Sequence, residues 1–193
     1  MRRLLLSLLP ISLLMTAPVA AQTAADKVAP TIPETLIKPA EMSSPYEFLS
    51  ASTSADEFVI KASALAATNA ASPEVVALAK DLAAAHTAAM AASQAAAKQD
   101  KVDIAAPSPD GEQQGLLGKL EGLKGAEFDR AYVEALLFVH QRTIAYTRGW
   151  ADEGGSLGTF AADSVATLVT HYQSLLALAE KVGIGSATQQ PAQ

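Results

Sequence analysis

The chain has 193 residues, of which 50% are hydrophobic and 5% aromatic, and its formal net charge is −6. Because it contains no cysteine, disulfide scaffolds, zinc–thiolate sites, iron–sulfur clusters and thiol catalysis are excluded. The acidic balance argues against a nucleic-acid partner, since neutralising phosphates requires a basic face.

Residues 1–21 have the pattern of a signal peptide. Arg2 and Arg3 precede an apolar stretch over residues 4–15, and residues 19–21, Val-Ala-Ala, fit a small-x-small cleavage site. The apolar stretch is shorter than the roughly 20 residues that a bilayer span needs, which argues against the alternative of a retained anchor. We therefore expect a periplasmic or secreted protein without an integral membrane span after cleavage, with outer-membrane association left open.

Two further stretches lack helical periodicity. Residues 22–43 are rich in Ala, Thr and Pro and predict a disordered leader, and residues 183–193 predict a disordered tail. The folded domain is therefore expected to span residues 44–182.

The first two predicted helices begin with the same signal. Ser44-Pro45 and Ser72-Pro73 each place a capping serine before a proline at the first helical position. Apolar residues then recur every three or four positions, to about residue 69 in the first helix and to about residue 98 in the alanine-rich second helix.

The second half of the chain predicts two more long helices. Residues 99–125 contain several breakers and one short leucine-rich helical pattern around residues 116–123. The third long helix starts near Ala126 and ends at Gly154-Gly155, and the fourth runs from about Leu157 to Val182. No segment has the pattern of a β-strand.

The lengths of the connections predict the topology. Short connections make helices one and two, and helices three and four, antiparallel neighbours. The middle connection is long enough to return along the whole bundle. The sequence thus predicts an all-α, ferritin-like antiparallel four-helix bundle with a long connection between helices two and three; a simple up-down-up-down bundle is the alternative.

Three histidines are the candidate metal ligands. His86, His140 and His171 lie in or beside the apolar stripes of helices two, three and four. A bundle core with three imidazoles would suit a transition metal, and Met90, one turn after His86, would add a thioether suited to copper(I). The alternative is three separate core histidines at different depths, because a stripe defines direction but not height.

A di-iron centre is excluded by the residues before these histidines. Such centres use Glu-x-x-His on two helices, and here the positions three residues earlier are Ala83, Leu137 and Leu168. Glu57 and Glu134 are the acids nearest the inward faces, with Asp163 two turns before His171; their ordinary interpretation is a solvated helix edge.

Other activities leave no motif in the chain. It has no Gly-x-Ser-x-Gly nucleophile elbow, no phosphate-binding loop and no Gly-x-Gly-x-x-Gly. Tyr146, Arg148 and Trp150 cluster at the end of helix three, where we expect an aromatic cap on the bundle rather than a partner-binding patch.

Several segments resemble a bacterial secreted family, domain of unknown function 4142, described as predicted outer-membrane or periplasmic proteins with a ferritin-like fold. The resemblance covers about residues 46–179. Its most specific stretch is residues 125–132, Gly-Ala-Glu-Phe-Asp-Arg-Ala-Tyr, followed by His140. Residues 79–87 and 166–171 resemble the family segments that carry the other two histidines. The resemblance implies a fold but no reaction.

This chain also departs from the family pattern. The family usually has an acid directly before the first of these histidines, where this chain has Ala85. It often has one before the second as well, where this chain has Val139. Val59 stands where a glutamate is frequent, and Ala166 replaces a proline. These differences weaken a metal assignment for this member and leave the fold expectation unchanged.

The sequence leaves three functions open. The first is a binding or stress-associated protein of the cell envelope with an unknown envelope partner. The second is a metal-handling periplasmic protein that uses His86, His140 and His171. The third, an enzyme, is the least favoured. No catalytic residue and no cofactor are expected, apart from a transition metal under the second hypothesis.

Overall fold

A computed structural model describes residues 33–103 and 105–185. The predicted signal peptide, the first part of the leader and the tail from residue 186 lie outside these residues. The described chain is all-α, apart from one isolated bridge between Ala70 and Gly125. After a single 3-10 turn at Glu34–Leu36 come five helices: α1 (Pro45–Asn69), α2 (Pro73–Gln99), α3 (Gly111–Glu121), α4 (Gly125–Trp150) and α5 (Gly155–Lys181).

The capping signals start α1 and α2 where the sequence predicts. The Ser44 hydroxyl accepts a hydrogen bond from the Glu47 N–H, and the Ser72 hydroxyl accepts one from the Val75 N–H. These bonds satisfy N–H groups that have no partner within the helix. A proline follows each serine, at a position where its missing N–H costs nothing.

The four long helices pack antiparallel to their neighbours. The end of α1 meets the start of α4 at the Ala70–Gly125 bridge, while at the other end Phe48 of α1 stacks on Trp150 of α4. Asp100, just after α2, caps the start of α5. As α1 pairs with both α2 and α4, the latter two run parallel, and the connection between them returns along the bundle.

The short helix α3 lies within this long connection, beside α1 and α4. It begins at Gly111, earlier than the leucine pattern suggests, because Asp110 and Gln113 form a complete capping box. The Gln113 side chain also accepts a hydrogen bond from Ser54 of α1 at 2.7 Å. The cap and this contact offset the low helix propensity of the glycines in α3.

The Gly-x-x-Phe-Asp-x-x-Tyr stretch holds one end of the bundle together. Gly125 adopts a positive φ of 66°, and Phe128 is fully buried. The Asp129 carboxylate accepts hydrogen bonds of 3.1 and 2.9 Å from two backbone N–H groups in the α1–α2 turn. The Tyr132 hydroxyl is 3.0 Å from the Ser63 hydroxyl of α1. The stretch therefore joins the two hairpins.

The segment 33–43 packs onto the bundle, which corrects the predicted disordered leader over its described part. Arg148 of α4 donates hydrogen bonds of 2.7 and 2.8 Å to the carbonyls of Glu34 and Ile37, and the Ile37 side chain is buried. The Ala40 N–H bonds to a backbone carbonyl of α4. Helical periodicity could not reveal this docking, because only residues 34–36 of the segment form a helical turn.

The described first residues of the predicted disordered tail, 183–185, follow the end of α5, and Ile184 packs on the core. The Ile184 N–H donates to the Ala179 carbonyl at 2.8 Å, and its side chain is 2% exposed. This apolar side chain closes the end of α5 against the core.

Among the described residues, α2 alone is long and apolar enough to cross a bilayer by length and composition, with a mean hydropathy of 1.3 over its best window. The hydropathy of α2 is high because alanine occupies exposed as well as buried positions along the helix. A bundle helix can meet the same two criteria, and α2 packs here against α1 and α5. The hydropathy alone is therefore weak evidence for a membrane span.

Gly149 is the position where the docked segment leaves no room for a side chain. A Cβ there would lie 1.8 Å from the Ala40 carbonyl oxygen, whereas a Cβ at Gly118 would meet nothing within 4 Å. We expect Gly149→Ala to lower the free energy of unfolding by about 1–3 kcal/mol through this clash. Gly118→Ala, in the middle of α3, should raise it by up to about 1 kcal/mol.

Urea denaturation of both variants tests this pair. Equal stabilities for Gly149→Ala and the unmodified chain would show that the segment 33–43 does not pack as described.

Candidate metal centre

The three histidines, each on a different helix, converge in the bundle core. His86 of α2, His140 of α4 and His171 of α5 offer ligand atoms that all lie within 4.8 Å of one another. Their ring centroids are 5.2–5.9 Å apart. His86 and His140 are buried, and His171 is half-buried. Separate histidines at different depths, the alternative left open above, do not occur.

The equal depth of these residues follows from their spacing around the hairpin turns. His140 and His171 lie 15 and 16 residues on either side of Gly155, where α5 begins. At a rise of about 1.5 Å per residue, both are roughly 23 Å from that turn. In an antiparallel hairpin, residues equally far from the turn lie side by side.

The same spacing brings a fourth residue, Asp56 of α1, to His86. Both lie 15 residues from Ala71 in the α1–α2 turn. Asp56 is 4% exposed, and its Oδ1 is 2.7 Å from Nδ1 of His86. This carboxylate is not among the inward-facing acids that the sequence pattern predicts, which include its neighbour, Glu57. The spacing of Ser52, Asp56 and Ser63, at four and seven residues, places all three on one face of α1 and could have indicated a polar strip in the core.

Hydrogen bonds determine which imidazole nitrogens carry protons. Nδ1 of His140 lies 2.8 Å from the Leu136 carbonyl oxygen, which can only accept, so this nitrogen donates. Nδ1 of His86 donates in the same way to the Asp56 carboxylate. In the neutral form of each ring the other nitrogen, Nε2, then presents a lone pair.

The two Nε2 atoms face each other at 3.3 Å. Two lone pairs at this distance repel, so the contact requires either a proton or a metal ion between the two nitrogens. A proton on one ring makes an N–H···N hydrogen bond, whereas a metal ion binds both nitrogens.

Burial keeps two of the rings neutral. Desolvation, followed by the charge of His86, places the pKa of His140 well below its ordinary value of 6.5; the carbonyl of Leu136 offsets this only in part. Desolvation, and again the charge of His86, lowers the pKa of His171 to about 4. Neutral imidazole is the form that binds metals.

Asp56 has the opposite shift. Desolvation raises the pKa of its carboxyl above the ordinary value of 3.8, and the hydrogen bond and charge of His86 offset part of that rise. Its Oδ2 and the Nδ1 of His171 are buried and have no hydrogen-bond partner among the described residues. Unpaired buried polar atoms are costly, and their clustering at one place is typical of a functional site.

An open cleft of about 790 Å³ between α2 and α5 leads to the histidines. His86, His171 and Asp56 line it, whereas the fully buried His140 does not. The cleft therefore reaches the triad from the side opposite His140.

The acidic candidates from the sequence are not members of the histidine cluster. Glu57 pairs with Lys61 at 3.2 Å, and Glu134 is half-buried on the α3 side of α4. Met90 is half-buried and is not part of the cleft lining. Asp163 is exposed and lines the cleft. Trp150 is 8% exposed and stacks on Phe48, so it forms the predicted aromatic cap.

A family model for a domain of unknown function, DUF4142, matches residues 30–178. The chain belongs to the DUF4142 family. The match includes all three histidines, Asp56 and the docked segment 33–43, so the packed core coincides with the family domain. Comparison with curated proteins finds no match, and comparison with solved structures finds none either. The chain is thus a helical domain of a family without a known activity.

The lowered pKa of His171 predicts a loss of stability in acid. Between pH 6.5 and about 4 the unfolded chain protonates this histidine and the folded protein does not, so the free energy of unfolding falls as the pH falls. His140 acts in the same direction, while Asp56, whose pKa is raised, acts in the opposite one.

His171→Gln isolates the histidine contribution. We expect urea denaturation in the presence of a chelator to show that the unmodified protein loses more stability between about pH 7.5 and about pH 5 than the variant does. Parallel pH profiles for the two proteins would contradict the assigned environment of His171.

Proposed function

We propose that this protein is an exported, ferritin-like helical bundle that binds one transition-metal ion through His86, His140 and His171. The observation that carries the proposal is the 3.3 Å separation of the two facing Nε2 atoms, each set up as an acceptor by the bond that its Nδ1 makes. The signal-peptide pattern of residues 1–21 supports a periplasmic or secreted location.

The distances suit a metal–imidazole site. Two nitrogens bound at about 2.1 Å to a tetrahedral ion are about 3.4 Å apart, close to the separation of these Nε2 atoms. His171 then needs only a small movement, since all three ligand atoms lie within 4.8 Å of one another. Three neutral imidazoles favour zinc or copper among the divalent ions.

Asp56 would hold the metal ligand His86 in position. Metal-bound histidines commonly donate their other ring N–H to a carboxylate, which fixes the tautomer and makes the ligand nitrogen more basic. The 2.7 Å bond from Nδ1 of His86 to Asp56 is such a contact. Asp56 thus provides a carboxylate beside His86, although this chain lacks the acids that the family has before two of its histidines.

The topology supports the ferritin-like part of the proposal. Two antiparallel hairpins joined by a connection that returns along the bundle are the ferritin-like arrangement, in which metal sites are built from facing helices. The ligand set differs from a ferroxidase centre, since it has three imidazoles where that centre has four glutamates and two histidines. We therefore propose metal binding without ferroxidase chemistry.

The first hypothesis from the sequence is an envelope protein that acts through surface contacts. It predicts an exposed patch, for which Trp150 is the candidate. The indole is buried and stacked instead. No feature of the described surface singles out a partner, so metal handling is the better-supported function.

Thermal unfolding with and without metal tests the proposal. A ligand at one hundred times its Kd stabilises the folded state by about 2.7 kcal/mol. For a domain of this size that corresponds to a rise in Tm of roughly 5–10 °C. We expect zinc or copper to produce it, with one ion bound per chain in calorimetry. His140→Ala should abolish the shift.

His171→Gln provides a second variant, because this half-buried residue can be replaced with less damage to the core. It should keep the metal-free Tm near that of the unmodified protein at about pH 7.5 and lose most of the metal-induced rise. A full rise in both histidine variants would overturn the proposal.

The role of Asp56 is tested against its half-buried neighbour, Glu57. Asp56→Asn should weaken zinc binding about 10- to 100-fold, because the amide holds His86 less firmly and does not increase its basicity. Glu57→Gln removes an adjacent carboxylate that pairs with Lys61 and should leave the affinity unchanged. Equal affinities of the two variants in isothermal titration calorimetry would exclude Asp56 as a positioning residue.

A further inference from the structure

The cleft between α2 and α5 has two different walls. Alanine methyl groups of α2 form an apolar wall that runs from the triad along the helix: Ala85, Ala88, Ala89, Ala92, Ala95 and Ala96. The lining from α4 and α5 is mixed, with the apolar side chains of Phe160 and Leu168 among hydroxyl groups such as those of Thr143, Thr147, Thr159 and Thr167. Its volume of about 790 Å³ is in the range of small-molecule sites, about 300–1,000 Å³.

A buried polar atom at the base of the cleft indicates a ligand. Asp56 lines the cleft, is 4% exposed, and leaves its Oδ2 without a hydrogen-bond partner among the described residues. Buried acceptor atoms in proteins are almost always hydrogen-bonded, so a ligand with a donor group would complete this site. His86 and His171 line the same end, so a metal bound to the triad would have a coordination position that faces the cleft.

Charge narrows the class of ligand. The charged side chains among the described residues of the lining are both acids, Asp56 at the base and Asp163 in the α5 wall. A divalent ion bound by three neutral imidazoles carries two positive charges, which these two carboxylates balance. A neutral ligand with N–H groups keeps that balance, whereas an anionic ligand would add uncompensated negative charge.

We propose that this cleft binds a small nitrogen-donor molecule with an apolar body. The donor nitrogen coordinates the metal, an N–H group donates to Oδ2 of Asp56, and the apolar part lies against the alanine wall. This inference rests on the proposed metal site and adds a ligand class to it.

Cobalt(II) is a suitable probe, because its visible absorption spectrum reports both its binding and a change in its ligands. In the cobalt-loaded protein, imidazole should alter the spectrum saturably, while acetate, an anion of similar size, should alter it little. 4-Phenylimidazole should bind at least about tenfold more tightly than imidazole, since its phenyl ring buries apolar surface against the alanine wall.

Two neighbouring positions on α2 provide a matched pair of variants. Both alanines are exposed, but Ala92 lines the cleft and Ala91 does not. Ala92→Phe should weaken 4-phenylimidazole binding about tenfold or more by filling the space, and still bind cobalt. Ala91→Phe should retain both.

The outcomes separate this proposal from the function beneath it. If the protein binds cobalt but phenylimidazole binds no more tightly than imidazole, or equally well to Ala92→Phe, the cleft is not the ligand site and the metal function stands. An acetate response equal to that of imidazole would overturn the ligand class. If the protein binds no cobalt, zinc or copper, both proposals fall.

Discussion

The register of the two hairpins is the constraint on which the site depends, and two buried or capping aspartates hold it. Asp129 of α4 accepts hydrogen bonds from the α1–α2 turn, and Asp100 after α2 accepts two from the first turn of α5. Each carboxylate thus ties one hairpin to the other at opposite ends of the bundle. The N–H groups at the start of α5 lower the pKa of Asp100, which keeps this tie charged at neutral pH. Because both ends are fixed, the helices keep one lengthwise register, which holds Asp56 and the histidines at the same height.

A polar cluster inside an otherwise apolar core opposes folding. Four titratable side chains lie together at mid-height, and two of their polar atoms lack partners among the described residues. An apolar core at these positions would be more stable, because each unpaired buried group retains its cost of desolvation. Local features that stability does not explain are typical of functional sites. A metal ion would convert the opposed lone pairs of His86 and His140 from a cost into two bonds.

The residues that identify the family and those that could perform its chemistry are largely different. Gly125, Phe128, Asp129 and Tyr132 join the hairpins, fill the core and cap a turn, so the most specific stretch of sequence has a structural role. The histidines stand in less distinctive alanine- and leucine-rich surroundings. This division explains why membership of the DUF4142 family supports the fold and leaves the activity undefined.

The sequence by itself determined the helical class, the starts of α1 and α2, the long connection and the inward direction of the three histidines. Periodicity and capping are local, and they act wherever the spacing of side chains along one helix is sufficient. Symmetry about the turns could also have indicated the common depth of His140 and His171. Only the tertiary structure decided that the hairpins are in register, that Asp56 rather than Glu57 faces His86, and that residues 33–43 pack on α4. Those outcomes depend on contacts between segments far apart in the chain, whose energies no single helix contains.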